Sequence, residues 1–251
     1  MVRYGMVIDL NRCIGCRSCA VACKIHNSVP PGTWWHRVET VGSKEHLVTP
    51  GGQYPNVDDL VYLPMPCMHC ENAPCVKVCP VDATWQREDG VVLIDYERCI
   101  GCRYCLTACP YGVRQFNWQD PDENFKKMFE IANDGAQWFA VEGYRYGYPF
   151  DHRTGGRLVY TPKRPKGVTE KCTFCVQYID DGLLPACVRA CPGNARVFGD
   201  LDDPESEISK IIREQNVFRL LEDLGTKPKV FYIPPEKRRW KGDVYNPGTP
   251  Q

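Results

Sequence analysis

Residues 99–110 read Cys99-Ile-Gly-Cys102-Arg-Tyr-Cys105-Leu-Thr-Ala-Cys109-Pro110, four cysteines at gaps of two, two and three residues with proline behind the last. The same spacing, without the proline, stands at Cys13, Cys16, Cys19 and Cys23. Residues 7–24 and 93–110 agree at eleven of eighteen positions at a constant offset of 86, which is duplication rather than chance. Two further groups surround these: Cys67, Cys70, Cys75, Cys79, and Cys172, Cys175, Cys187, Cys191. Their ends also match, PCVKVCPVDA at 74–83 against ACVRACPGNA at 186–195. All 16 cysteines of the 251-residue chain fall in these four groups.

Three chemistries compete for such a pattern. Disulfide scaffolds are usually short secreted chains, and neighbouring cysteines two residues apart would each have to reach a distant partner. Zinc takes four ligands, often as two separated C-x2-C pairs, but not as a triplet followed by a three-residue gap and proline. The run C-x2-C-x2-C-x3-C-P is that of bacterial [4Fe–4S] ferredoxins, in which three cysteines hold one cluster and the fourth reaches across to the other. The spacing suits the chemistry. Cysteines at every third residue place three thiolates on one face of a cubane, and the last gap starts a helix that carries the fourth away. Pro80, Pro110 and Pro192 turn the chain behind the groups and offer no N–H. Gly15 and Gly101, between the first two cysteines of their groups, are expected to let the backbone come close to the inorganic core.

The repeat gives an α+β fold of two bacterial-ferredoxin-like units, short helices plus two-stranded sheets, the second unit inserted within the first, with long loops. The inner unit is 61–116, and the outer, split unit is 1–27 with 167–203. Residues 28–60 and 117–166 are insertion loops, and 204–251 holds C-terminal helices and a tail. Thr84 to Ile94 reads as a hairpin with Asp89-Gly90 at its turn, and Ala195–Gly199 is expected to pair with Tyr4–Ile8. The ferredoxin pattern implies that ligands cross within each unit. The inner sets are Cys67, Cys70, Cys75 with Cys109, and Cys99, Cys102, Cys105 with Cys79. The outer sets are Cys13, Cys16, Cys19 with Cys191, and Cys172, Cys175, Cys187 with Cys23. Four [4Fe–4S] clusters use every cysteine and need no histidine.

Composition bounds the partners. The 31 basic and 31 acidic residues cancel, which removes the electrostatic case for nucleic acid. Sixteen thiolates against four oxidised cores of about +2 each would take the loaded chain to roughly −8. No apolar run reaches the roughly 18 residues that span a bilayer, and Met1 to Leu10 lacks the positive and apolar regions of a leader.

The remaining stretches are aromatic and rich in Gly and Pro, with Trp34, Trp35, Trp118, Trp138, Tyr144, Tyr146 and Tyr148; they wrap the cluster core or form docking surfaces for partner subunits. A short helix is expected over Asp122 to Asn133. One or two helices are expected over Glu205 to Leu224, with Ile208, Ile211, Ile212, Phe218, Leu221 and Leu224 inward, then a strand Val230–Ile233. His69 reads as packing rather than as a ligand. Arg17, Arg103 and Lys171, each beside a cysteine, either offset cluster charge or are simply solvated. No G-x-S-x-G, H-E-x-x-H, P-loop or G-x-G-x-x-G motif is present, and no C-x3-C-x2-C run leaves an iron open. The chain reads as a conductor of electrons, not as an enzyme by itself.

The four groups in this order, Thr169-Glu170-Lys171 before the fourth, Cys109-Pro-Tyr-Gly-Val113 and Gly199-Asp-Leu-Asp-Asp-Pro204 resemble the iron–sulfur β subunit of the dimethyl sulfoxide reductase family of molybdenum or tungsten oxidoreductases. Within it the chain looks closest to subunits of arsenate, polysulfide, thiosulfate and tetrathionate reductases. The resemblance covers about residues 2–235. It implies a large molybdopterin-dependent catalytic subunit as partner and a separate membrane anchor subunit handling quinone. The cluster on Cys13, Cys16, Cys19 and Cys191 would face the catalytic subunit, and that on Cys99, Cys102, Cys105 and Cys79 would lie farthest from it. Nitrate reductase β subunits carry Trp where this chain has Cys102, so four irons rather than three are expected there. Membrane-bound formate dehydrogenase β subunits carry a C-terminal membrane helix, and this chain shows none, so an anchor would be another protein. Co-export with a catalytic subunit implies a peripheral place on the outer face of the membrane. The electron-transfer subunit of a hydrogenase, formate dehydrogenase or aldehyde-type oxidoreductase is the alternative, and the metal of the large subunit would discriminate.

Overall fold

Strand β1 (Tyr4–Asp9) is buried through its middle, Gly5 to Ile8, because it takes a partner strand on each side. The fold is a computed structural model that describes residues 2–41, 61–120, 150–162 and 165–235. The helix expected over Asp122 to Asn133, and Trp138, Tyr144, Tyr146 and Tyr148, lie outside the described residues.

After β1 comes a turn carrying Cys13 and Cys16, then α1 (Ser18–His26) with Cys19 and Cys23. Its repeat counterpart α3 is only Tyr104–Thr107. The difference follows from one residue: Pro110 stands behind Cys109 where Lys24 stands behind Cys23, and proline cannot continue a helix that lysine can. Both helices start from an arginine in the left-handed region, Arg17 (φ 61°) and Arg103 (φ 64°). Between them in the chain are β2 (Arg37–Val41) and β3 (Val61–Met65), which pair antiparallel from Arg37↔Met65 to Val41↔Val61. The stretch expected to be loop thus contains a strand of its own. Next come α2 (Pro74–Lys77), with proline at its first turn, and the hairpin β4 (Thr84–Gln86) and β5 (Val92–Ile94). That hairpin closes through Arg87–Val91 rather than through a two-residue turn, with Gly90 at φ 80° donating to the Arg87 carbonyl at 2.8 Å.

Beyond α3, β6 (Gln115–Phe116) waits for a distant partner, and β7 (His152–Thr154) and β8 (Arg157–Tyr160) form a second hairpin. Strand β9 (Thr169–Glu170) pairs with β6. Helices α4 (Val176–Ile179) and α5 (Ala186–Arg189) flank the long gap of the fourth cysteine group. Strand β10 (Arg196–Asp200) pairs antiparallel with β1, from Tyr4↔Asp200 to Ile8↔Arg196, one residue beyond the stretch expected to pair there.

The C-terminal part differs from expectation in three ways. Helix α6 (Glu207–Glu214) is short, capped by the Ser206 hydroxyl accepting from Ser209 N–H, and it buries Ile208 while Ile211 and Ile212 are half-buried. The apolar period does not continue it. Phe218 and Tyr232 exchange backbone hydrogen bonds of 2.9 and 2.8 Å, so the chain there is extended, Leu220 is buried and Leu224 is 51% exposed at a one-turn 3-10 helix. Third, β11 (Val230–Ile233) adds parallel to β1, making the sheet three-stranded in the order β10-β1-β11. One apolar core then runs from Met6 and Ile8 through Trp35 and Leu63 to Val176 and Tyr232, with many of the cysteines in it.

Candidate metal centres

None of the sixteen cysteines is paired in a disulfide. Three cavities collect twelve of them. The first, about 360 Å3 and partly open, is lined by Cys13, Cys16, Cys19 and Cys191 with Arg196. The second, about 330 Å3, is lined by Cys67, Cys70, Cys75 and Cys109 with His69 and Arg114. The third, about 290 Å3, is lined by Cys79, Cys99, Cys102 and Cys105 with Thr84. Each cavity therefore holds three thiols of one group and one of another. Cys23, Cys172, Cys175 and Cys187 are all buried, and Asn27 Nδ2 spans two of them, 3.8 Å from Cys23 Sγ and 3.5 Å from Cys175 Sγ.

Local geometry repeats with the sequence. Cys13 N–H donates to Asp9 O at 3.2 Å and Cys99 N–H to Asp95 O at 3.1 Å, closing the two equivalent turns. Behind the fourth cysteines the donors differ by one place, Thr84 N–H pointing to Cys79 Sγ at 3.4 Å and Ala195 N–H to Cys191 Sγ at 3.3 Å. Gly15 and Gly101 both have φ 70°, and their missing side chains make room for the Tyr62 ring and the Gly167 carbonyl. Packing of the loops on neighbouring chain is thus reason enough for glycine at both positions.

Burial pushes the Cys70 and Cys187 thiols up to about 12 and raises those of Cys172 and Cys23 well above the ordinary value, with neighbouring cysteines adding to it. Bare thiolates do not belong in such surroundings; a bound cation makes them stable. Three cations are nevertheless buried among these thiols: Arg114, Lys171 and Arg196, at 5%, 1% and 5% exposure. Burial works against both guanidiniums, yet Cys75, Cys105 and Cys67 around Arg114, and Cys187 and Cys19 around Arg196, hold their pKa values above the ordinary one. Lys171 is buried rather than solvated. By contrast Arg17 and Arg103 are exposed, and Arg103 lies 4.5 Å over the Trp118 ring. Arg114, Arg196 and the buried His36, which Arg196 Nη2 approaches at 2.7 Å, carry no sequence signal.

The residues fit an iron–sulfur cluster. The donors are soft thiols, and the second cavity also has unpaired N–H groups beside it. His69 stacks on Phe174 at 3.7 Å and accepts from Val92 N–H on Nδ1 at 3.0 Å, which leaves the proton on Nε2. That Nε2 has no partner, nor do Arg114 Nε and Nη2. Inorganic sulfides accept such hydrogen bonds.

Fold and thiol sets define a protein of the ferredoxin-like [4Fe–4S] class. Two models described as 4Fe-4S dicluster domain match it, one over residues 58–128 and 158–201, the other over 12–83. The sequence is 47% identical over 249 residues (96% of it, 84% of the relative) to a Halobacterium salinarum protein provisionally named as an iron-sulfur subunit of dimethyl sulfoxide reductase. It is 42% identical over 235 residues (92% and 96%) to the arsenate respiratory reductase iron-sulfur subunit ArrB of Shewanella sp.. It is 34% identical over 233 residues (92% and 94%) to one of the chains of the polysulfide reductase of Wolinella succinogenes. The chain belongs to the iron–sulfur β subunits of the dimethyl sulfoxide reductase family.

Proposed function

We propose that the chain is the non-catalytic electron-transfer subunit of a respiratory oxidoreductase, carrying four [4Fe–4S] clusters between a large molybdopterin-dependent catalytic subunit and a membrane quinone-linked subunit. The observation that carries this is the crossed membership of the three cavities. The ligand sets are Cys13, Cys16, Cys19, Cys191; Cys172, Cys175, Cys187, Cys23; Cys67, Cys70, Cys75, Cys109; and Cys99, Cys102, Cys105, Cys79. The inner unit, 61–116, is nested in the outer one, 1–27 with 167–203. Pairing of β1 with β10 supports that division, since the two strands come from opposite ends of the outer unit.

When bound, the clusters supply one-electron relays; the chain's own part is to hold them, exclude water and set the surrounding charge. Of the sixteen thiols only Cys16 and Cys102 are exposed. They are repeat equivalents, and each has an exposed isoleucine two residues before it, Ile14 at 65% and Ile100 at 64%. Apolar rims around the two outermost clusters suit docking of a partner at each end, where electrons enter and leave. Among the described residues no helix is long and apolar enough to cross a membrane. The anchor is a separate subunit, and the complex sits peripherally, on the outer face by co-export.

Iron and sulfide analysis with paramagnetic resonance of the reduced protein tests the reading. Iron should equal cysteine in number, and the Cys191→Ser and Cys187→Ser variants should alter different clusters although they lie in one cysteine group. Zinc in place of iron, or one cluster altered by both substitutions, overturns it. Purification of the intact complex checks the partner: molybdenum or tungsten is expected in the large subunit, and nickel refutes that part.

A further inference from the structure

Arg196, Lys171 and Arg114 are not scattered among the thiols; each contacts residues of two neighbouring sites. Arg196 lines the first cavity, while its Nη1 lies 3.9 Å from Sγ of Cys187, a member of the fully buried set. Lys171 Nζ donates to the Cys172 carbonyl at 2.8 Å, on that same buried set, and to the carbonyl of Val92, which lines the second cavity. Arg114 lines the second cavity, and its Nη1 donates at 3.3 Å to Thr84 Oγ1 in the wall of the third. The four sets are thereby strung in one order, with a single cation at each of the three junctions.

Comparison of the repeats shows that the place matters more than the residue that fills it. Arg196 is the fifth residue after Cys191. The fifth residue after Cys79 is Thr84, which has no charge, and it is Thr84 that receives the Arg114 guanidinium from another part of the chain. Two units thus bring a guanidinium to the equivalent position by different routes. Ordinary packing does not account for it. A buried arginine with Nε and Nη2 unpaired is worse than an apolar side chain of the same size unless a counter-charge stands beside it.

We infer that Arg196, Lys171 and Arg114 are positioning residues that raise and match the reduction potentials of the clusters on either side of them. The inference rests on the four-cluster reading above. Reduction adds one negative charge to a cluster, so a fixed positive charge favours the reduced form of both neighbours. Arginine suits the role because it stays charged when buried. A cation shared by two clusters also offsets the repulsion between them when both are reduced.

Redox titration of the loaded protein, followed by paramagnetic resonance, tests this with Arg114→Gln and Arg196→Gln, each beside its Lys counterpart. R114Q should lower the potentials of the clusters on the Cys67 and Cys99 sets by about tenfold in reduction equilibrium, about 59 mV for one electron, and leave the Cys13 set in place. R196Q should shift the two outer clusters instead, and each Lys variant should recover most of its loss. A merely structural arginine would not produce this division. Unmoved potentials in glutamine variants with a full iron complement overturn the inference and leave the function standing, whereas a protein without four clusters fails the earlier reading. Should R114Q lose iron, Thr84→Val takes its place, since it keeps the charge and frees the guanidinium from the third cavity. R114K loading fully and T84V leaving the potential of the Cys99-set cluster unchanged would likewise overturn it.

Discussion

Alanine at Gly101 tests how the third cavity is built. Gly101 has φ 70°, and a Cβ there would lie 2.1 Å from the Gly167 carbonyl oxygen and 3.2 Å from Phe116 Cε2. Two costs add. Left-handed backbone costs a residue with a side chain about 1–2 kcal/mol. Ordinary contact begins at 3.4 Å, so the carbonyl must retreat by 3.4 − 2.1 = 1.3 Å. It cannot do so freely, because Gly167 N–H donates to Asn117 O at 2.8 Å and the next carbonyl, of Val168, accepts from Asn117 N–H at 3.0 Å. Weakening both hydrogen bonds adds about 2 kcal/mol. Gly182→Ala is the control: φ is 74°, but nothing lies within 4 Å of its Cβ, so it bears the backbone cost alone. The difference of about 2 kcal/mol is up to about a thirtyfold faster loss of cluster absorbance in guanidinium, at 1.4 kcal/mol per tenfold. G101A should also bind less iron, the loss falling on the cluster of the Cys99 set. Equal bleaching rates for G101A and G182A, both with full iron, would refute the reasoning.

Ser206→Ala removes the cap of α6 and should cost about 1 kcal/mol, read as a lower thermal midpoint with cluster content unchanged; no shift would show that Ser206 contacts do not hold the helix. Lys229 is fully buried, and burial lowers its pKa to about 8 although Glu71 and Asp89 pull it upward. The folded state then holds fewer protons than the unfolded one between pH 8 and the ordinary 10.5, so stability from this group rises with pH across that window. Unfolding-rate profiles of the wild type and Lys229→Met should diverge there, the variant being flatter; parallel profiles would sink the idea. Anaerobic chelation of iron should abolish near-ultraviolet dichroism as well as colour, because thiol sets form part of the core. An iron-free protein with native dichroism would contradict that.

What the sequence makes legible is what its chemistry keeps local. Ligand spacing is covalent, so Cys99 to Cys109 announces its cluster within a dozen residues, and duplication extends the reading to β1 and β10, residues 4 and 200 side by side. The C-terminal part misleads because an apolar period outlasts its helix. Leu224 keeps the helical spacing, yet Phe218 has already left the helix to pair with Tyr232, so Leu220 takes the buried place. Parallel addition of β11 is equally silent, since nothing in Val230–Ile233 names its partner. The cations are the deepest omission. Arg114 and Arg196 look like any strand or loop arginine until the fold sets Thr84 beside one and Cys187 beside the other.

Those cations also bind metal loading to folding. With burial holding Cys70 and Cys187 near 12, those two thiols are neutral at pH 7 in the absence of iron. Arg114 and Arg196 would then be buried charges with less counter-charge beside them, a cost of several kcal/mol, while burial lowers the pKa of Lys171. Iron reverses the balance, for four thiolates around a core of about +2 leave about −2 at each site. On the proposed ligand sets each cation would then stand between two anionic clusters, and the charge that opposed folding would favour it. Thiol sets and cations are therefore coupled: without iron the buried guanidiniums of Arg114 and Arg196 weaken the fold. The neutral sequence is therefore the ledger of the unloaded chain, and the loaded fold places three of its positive charges where the new negative charge arises.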